Sequence, residues 1–335
     1  MPRSIGRYEI ERREAEGGMG VVYLARDPRV KRRVAIKLLK KLYSQDPDVR
    51  RRFEQEAEAV ASLEHEAIVP VYDFGEHEGM LYIVMRYVGG GTLRDRIAAI
   101  GRQRLRDVAE VTNRVASALT SAHAQGIIHR DIKPANILFD EREVPYLSDF
   151  GVAKAPTTID DTAGSMVLGT PQYLSPEQAV GGQIDGRADI YSLGVVAFHA
   201  LTGRPPFEAG NAVAMAMAHM MKPPPKICEL VPDLPKVTER VFERALAKKP
   251  EHRYQSADLF ARDLRDIAAG RWYLVKLSNS LGLSREPAGG PQGTAKPPPA
   301  SGDSPRTLAY KTSDVEQTVL DAVPDAEPGD DTQPP

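Results

Sequence analysis

Three residues in the stretch "IIHRDIKPANILFD", residues 127–140, are of the kinds that together can move a phosphoryl group. Asp131 is a carboxylate able to accept the proton of an attacking hydroxyl. Lys133 is an amine that can steady the transferring group, and the amide oxygen of Asn136 can ligate a metal ion. A polar β-hairpin could hold these residues by chance, but so long and ordered a string argues against accident. Downstream, "LSDFGVAK" places Asp149 after an apolar run as a second oxygen ligand. Asp-Phe-Gly alone is a weak signal, because glycine-containing turns often carry Asp; its position just after Asn136 makes it a strong one. Two oxygen ligands with phosphates completing the shell suit Mg²⁺ better than an all-protein cage does.

A second pair of charges sits nearer the N-terminus. Lys37 lies in the apolar run "RVAIKLLK", and Glu56 falls on the helical face that carries Phe53, Ala57, Val60 and Leu63. A carboxylate at that place is costly unless a cation meets it, although alone it would read as an exposed helix-edge glutamate. Lys37 equally needs a partner, so the two are expected to pair, with the amine held against phosphates. Ahead of them "EAEGGMGVV", residues 14–22, reads as a glycine-rich turn between strands. Such a loop is either a flexible hairpin tip or a cradle for nucleotide phosphates, formed by Ala15, Glu16, Gly17, Gly18, Met19 and Gly20. Gly17 and Gly20 stand where the backbone would approach phosphates closely, and Ala15, at the strand exit, needs only a negative φ.

The elements that must position these groups fall into two sets. From Tyr8 to about Val88 short β-like runs, "YEIERR", "GVVYLARD", "RVAIKLLK", "IVPVYDFG" and "LYIVMRYV", are separated by turn signals, with one helical stretch over 49–65. From Gly89 to Gly270 helical periodicity dominates: Val108, Val111, Val115, Leu119 and Ala122 form a stripe ending at Gly126. "DIYSLGVVAFHALTG" is apolar all round and reads as a central buried helix. The Met-rich "AVAMAMAHMMK" is expected to pack into the core. The fold class is α+β and bilobal, a small β-rich lobe over 8–88 and a larger helical lobe over 89–270. Beyond Gly270 a Pro/Gly-rich and then acidic tail, 271–335, is expected to be disordered.

With these motifs in hand, residues 8–270 resemble a eukaryotic-type protein kinase domain, of the bacterial (Hanks-type) serine/threonine branch. "GTPQYLSPEQA" resembles the segment that closes the activation loop, and "HRDIKPAN" is of the serine/threonine form. The resemblance implies that Asp131, Lys133, Lys37, Glu56 and Thr170 carry catalysis, with Thr170 touching Asp131 and Lys133. It implies ATP, with Mg²⁺ (or Mn²⁺) on Asn136 and Asp149. The adenine would lie between Val22 and Ala35 above and Leu138 below, Met85 as gatekeeper, with backbone hydrogen bonds at Arg86 and Val88. Arg86 departs from the family, where an acidic residue commonly stands. By position, Glu177 should pair with Arg253, Asp189 should anchor the catalytic loop, and Val60, Val71, His129 and Phe150 should stack as a column.

The composition, 41% hydrophobic and 27% charged with a net charge of -2, gives no push toward nucleic acid or an anionic membrane. No apolar run reaches the ~20 residues of a membrane span, and a lone Cys228 allows no intramolecular disulfide. The expected place is the cytoplasm, and the expected partners are proteins with Ser/Thr acceptors. Arg130, beside the catalytic aspartate, is a site for an anion, and Thr157, Thr158, Thr162 and Ser165 could supply it once phosphorylated. In the tail, Thr307, Thr312 and Thr318 are candidate autophosphorylation sites, and "DVEQTVLDAV" resembles ligands of forkhead-associated domains; its other reading is a solvated acidic tail. A homodimer through the small lobes rests on the family alone. A pseudokinase scaffold is the alternative function, but it would normally have lost one of Lys37, Glu56, Asp131, Lys133, Asn136 or Asp149. A small-molecule kinase would lack "SPE" and the "RDIKPAN" loop.

Overall fold

The computed structural model describes residues 2–18, 20–41, 47–151 and 171–275. The five apolar runs become strands β2 (Tyr8–Glu16), β3 (Gly20–Asp27), β4 (Arg32–Leu39), β5 (Val71–His77) and β6 (Met80–Arg86), and a short β1 (Ser4–Ile5) precedes them. They form one antiparallel sheet in the order β1-β2-β3-β4-β6-β5. A two-residue strand has no periodic signature in sequence; β1 forms because Ile5 is buried completely against the sheet's outer face. The run beginning at Ile68 also divides. Val69 donates to the Leu147 carbonyl at 2.9 Å and Leu147 donates to that of Ala67 at 2.8 Å, so this segment ties to the other lobe. Pro70, without an N–H, separates it from β5.

Helix α1 (Pro47–Ala61) turns Phe53, Ala57 and Val60 inward, with Phe53 meeting Phe74 of β5 edge-on at 6.5 Å between ring centroids. It therefore lies against the sheet with Glu56 on the margin of its buried face.

The second lobe is built from α2 (Leu93–Ile100), α3 (Leu105–Ala124), the hairpin β7 (Ile137–Phe139) and β8 (Pro145–Leu147), then α4 (Pro176–Ala179) and α5 (Gly186–Thr202). After these come α6 (Ala212–Met221), α7 (Ile227–Leu230), α8 (Val237–Ala245) and α9 (Ala257–Ala268). The stripe on α3 is buried at Val108, Val115, Leu119 and Ala122, as its spacing predicts. Helix α5 is buried on all sides, Phe198 completely; a side chain of that size contributes about 1.5–3 kcal/mol. It starts at an Asp185 cap and stops at Gly203, whose φ of +77° is easy only for glycine.

The Met-rich helix corrects one expectation. On α6 only Met215 of the four methionines 215, 217, 220 and 221 is buried; Met220 is half-buried, while Met217 and Met221 are 53% and 71% exposed. Alanines on the packed side let α6 lie close to its neighbours, so the methionines at i, i+4 from Val213 face outward. Beyond α9, Val275 is buried in the apolar cluster of the helical lobe, so the folded part extends past Gly270, where the tail was expected to begin. No helix among the described residues is long and apolar enough to cross a membrane.

Candidate active site

The catalytic loop is held from below by one carboxylate. Asp189, on α5 and 1% exposed, accepts the backbone N–H groups of His129 and Arg130, each at 2.8 Å. His123 Nε2 donates to the same carboxylate at 2.8 Å. This clamp holds Arg130 at φ +62°, a region that costs a non-glycine residue on the order of 1–3 kcal/mol. Asp149 also has a positive φ, +59°. Neither His123 nor this twist was legible in the sequence; the anchoring role of Asp189 was implied by the family resemblance.

His129 is fully buried, and burial pushes its pKa down, keeping it neutral. Its Nε2 donates to the Ser148 carbonyl at 2.9 Å and its Nδ1 accepts the Asp131 N–H at 3.2 Å, so one tautomer satisfies both neighbours. The ring lies 4.5 Å from that of Phe150, and Val60, Val71 and Phe150 share one apolar cluster. The expected column is present, and it connects α1 to the loop.

Around this frame the candidate groups converge. Lys133 Nζ lies 2.8 Å from Asp131 Oδ2, and Asn136 Nδ2 donates to the same oxygen at 3.1 Å and to the Asp131 carbonyl at 2.8 Å. Because its nitrogen is so engaged, the side-chain oxygen of Asn136 is the atom suited to a metal. Asp149 supplies another hard oxygen, a set that fits a divalent cation completed by phosphates. Among the described residues no group of three His, Cys, Asp or Glu could hold an ion unaided.

The cation–carboxylate pairing corrects the sequence reading. Lys37, between Val22 of β3 and Ile83 of β6 in the sheet register, places Nζ 2.8 Å from Asp149 Oδ1. Glu56 meets Arg130 Nη1 at 3.4 Å instead, and among the described residues no Lys37–Glu56 ion pair forms. The charges are the expected ones with exchanged partners. The Nε of Arg130 is buried without a hydrogen-bond partner among the described residues.

The residues expected to line an adenine slot come together. Ala35 and Met85 belong to one apolar cluster with Val22, Val88 and Leu138 packed against it. The Arg86 N–H donates to the Pro70 carbonyl at 3.0 Å, so a hydrogen bond from this residue to a base would use its carbonyl. In the glycine loop Gly17 donates to the Gly20 carbonyl at 2.9 Å, and a Cβ at Gly17 or Gly18 would meet nothing within 4 Å. Gly20 differs: a Cβ there would lie 2.2 Å from the Leu38 carbonyl oxygen. Sheet packing by itself requires that glycine. Ala15 pairs with Val22 and is absent from the residues with positive φ, as expected, and Glu16 ends the strand beside it. Met19, Thr157, Thr158, Thr162, Ser165, Thr170 and the tail threonines lie outside the described residues.

Glu177 and Arg253 form the expected pair, bidentate at 2.7 and 2.8 Å. The remaining N–H groups of the fully buried Arg253 reach the carbonyls of Ala247, Arg187 and Lys248. Gln178, not singled out by sequence, donates to the Arg130 carbonyl at 3.0 Å and ties α4 to the catalytic loop. Its only sequence trace is the Ser175–Gln178 capping box.

Comparison with known proteins agrees with this geometry. The protein kinase domain family matches residues 8–264. The chain is 42% identical over 263 residues to serine/threonine-protein kinase PrkC of Bacillus subtilis, 78% of this chain and 41% of that one. It is 42% identical over 271 residues to PknA of Mycobacterium tuberculosis, 79% of this chain and 62% of that one. The chain thus spans 41% to 62% of the length of these two relatives. Among solved structures, the Mycobacterium tuberculosis PknI kinase domain aligns with a TM-score of 0.66 at 32% identity, over 79% of this chain and 97% of that one. Members of this family use ATP and a divalent metal ion. The chain belongs to the protein kinase domain family, in its bacterial Hanks-type serine/threonine branch.

Proposed function

We propose that this chain transfers the γ-phosphoryl group of ATP to serine and threonine hydroxyls of proteins. The observation that carries the reading is the convergence of Asp131, Lys133, Asn136, Lys37 and Asp149 on one cleft beside an apolar slot. Asp131 orients the acceptor hydroxyl and takes its proton, and Lys133, already 2.8 Å from that carboxylate, balances the charge that develops. Lys37 leaves Asp149 to hold the α- and β-phosphates, and Glu56 takes Lys37 as partner when Arg130 releases it. A divalent ion, Mg²⁺ by the hard-oxygen character of Asn136 and Asp149, neutralises phosphate charge when bound. Val22, Ala35 and Leu138 hold the base, and the glycine loop covers the phosphates. Catalysis is then mainly positioning and charge neutralisation.

The same reading assigns activation to phosphate at Thr157, Thr158, Thr162 or Ser165, received by Arg130. Its unpartnered Nε supports that role. It places the enzyme in the cytoplasm, and it assigns phosphorylated Thr307, Thr312 or Thr318 as ligands for a forkhead-associated domain.

Incubation with labelled ATP and Mg²⁺, beside Asp131→Asn and Lys37→Met variants, tests the reading. Incorporation into the chain or a basic protein substrate is expected, with each variant slower by about a hundredfold or more. No incorporation by the native chain, even after treatment with another kinase, would leave the scaffold function instead.

A further inference from the structure

The two walls of the adenine slot belong to different lobes, so something must set their separation. Val22 and Ala35 stand on β3 and β4, while Leu138 stands on β7. The far end of the segment linking the lobes is tied by backbone: Gly90 donates to the Phe139 carbonyl at 2.7 Å, and Phe139 donates to that of Gly91 at 2.9 Å. At its near end a side chain crosses the gap. The guanidinium of half-buried Arg86, directly after Met85, lies over the Tyr146 ring at 4.8 Å from the centroid. Tyr146 is the cross-strand partner of Leu138, and its hydroxyl donates to Asp140 Oδ2 at 3.4 Å. Among the described residues Arg86 forms no ion pair within 4.0 Å; the ring is its direct contact, and its charge adds to the backbone N–H bonds that hold the Asp140 carboxylate below its usual pKa.

We propose that Arg86 is a positioning residue for ATP: its side chain braces the gatekeeper strand against the hairpin carrying Leu138 and so sets the width of the adenine slot. The inference rests on the kinase reading above. An acidic side chain at 86 could not do this, because a carboxylate would face both the negative ring face and Asp140.

The test uses the full chain, calorimetric titration with ATP and Mg²⁺, and steady-state phosphorylation of a basic protein. Arg86→Ala and Tyr146→Leu should each weaken ATP binding by about tenfold. The double variant should lose no more than either single one, because the two act through one contact. Arg86→Lys and Tyr146→Phe, which keep a cation and a ring, should stay within about threefold of the native affinity, and they decide the matter if the harsher variants fail to fold. At saturating ATP the turnover of all variants should fall by less than about twofold, which separates slot width from general loss of structure. Additive losses, unchanged affinity in Arg86→Ala, or an equal loss in Tyr146→Phe would overturn the inference and leave the kinase reading standing. A native chain that binds no ATP would overturn both.

Discussion

Arg130 holds Glu56 at 3.4 Å, although the two are 74 residues apart and each was expected to have another partner. Their side chains are 40% and 31% exposed, so the pair contributes about 1 kcal/mol or less. A phosphate, with nearly twice the charge and three acceptor oxygens, outcompetes such a carboxylate for an arginine. Release of Glu56 would free it to draw Lys37 from Asp149.

Arg130→Ala should therefore remove the gain that phosphorylation gives. Phosphorylation should raise the activity of the native chain by about tenfold or more, the value of one charge-assisted hydrogen bond, and should not raise that of the variant, in which Glu56 is already released from residue 130. Assays before and after phosphatase treatment check this. An undiminished gain in the variant would show that the phosphate is read elsewhere.

Arg253 is the opposite case, a buried cation with every N–H satisfied. Arg253→Ala leaves Glu177 and three carbonyls without it, and breaking such a pair costs about 3–5 kcal/mol. The melting temperature should drop by about 10 °C. Thermal unfolding followed by circular dichroism measures it, and a drop no larger than that of a surface arginine variant such as Arg106→Ala would contradict the assignment.

Stability should depend on pH through His219. Burial, opposed by its hydrogen bond to the Gln172 carbonyl at 3.0 Å, lowers its pKa from 6.5 to about 4. Between those values the unfolded chain binds a proton that the folded chain does not. Stability is therefore fully present above about 6.5 and falls as the pH drops toward 4, by on the order of 3 kcal/mol. Lys248, whose Nζ donates to the His219 carbonyl, and Arg253 near Tyr191 add positive charge on the same side. Melting temperatures from pH 7.5 to 4.5 should slope less steeply in His219→Gln; identical slopes would remove His219 from the account.

The glycine loop separates two roles. Gly20→Ala forces a methyl group into the Leu38 carbonyl and should lower the melting temperature by several degrees. Gly17→Ala, with open space around it, should leave melting unchanged and weaken ATP binding by a fewfold. Ala15→Gly should change both little, since its extended pairing with Val22 needs no glycine. Equal melting of Gly20→Ala and the native chain would show that the β3–β4 packing yields.

The chemistry of this chain was legible in its sequence because the reaction needs particular residue types within one loop, where chain connectivity alone holds their spacing. Asp131, Lys133 and Asn136 could be read together for that reason, as could the 3.6-residue stripes of α3 and the apolar run of α5. The pairing of Glu177 with Arg253 was legible only through the family resemblance, which implies it by position. The tertiary structure decided the rest. Lys37 and Asp149 are 112 residues apart, and which carboxylate a flexible amine meets depends on how the lobes place α1, a distance no local pattern encodes. That Gly20 also lies against the Leu38 backbone, where a Cβ would not fit, is likewise a contact no local pattern encodes. His123 carries no signature beyond its type and Gln178 only that of a helix cap, and they acquire these roles because folding brings them to Asp189 and to the Arg130 carbonyl. Sequence determines which groups can react; packing determines which of several equally charged neighbours each group finds.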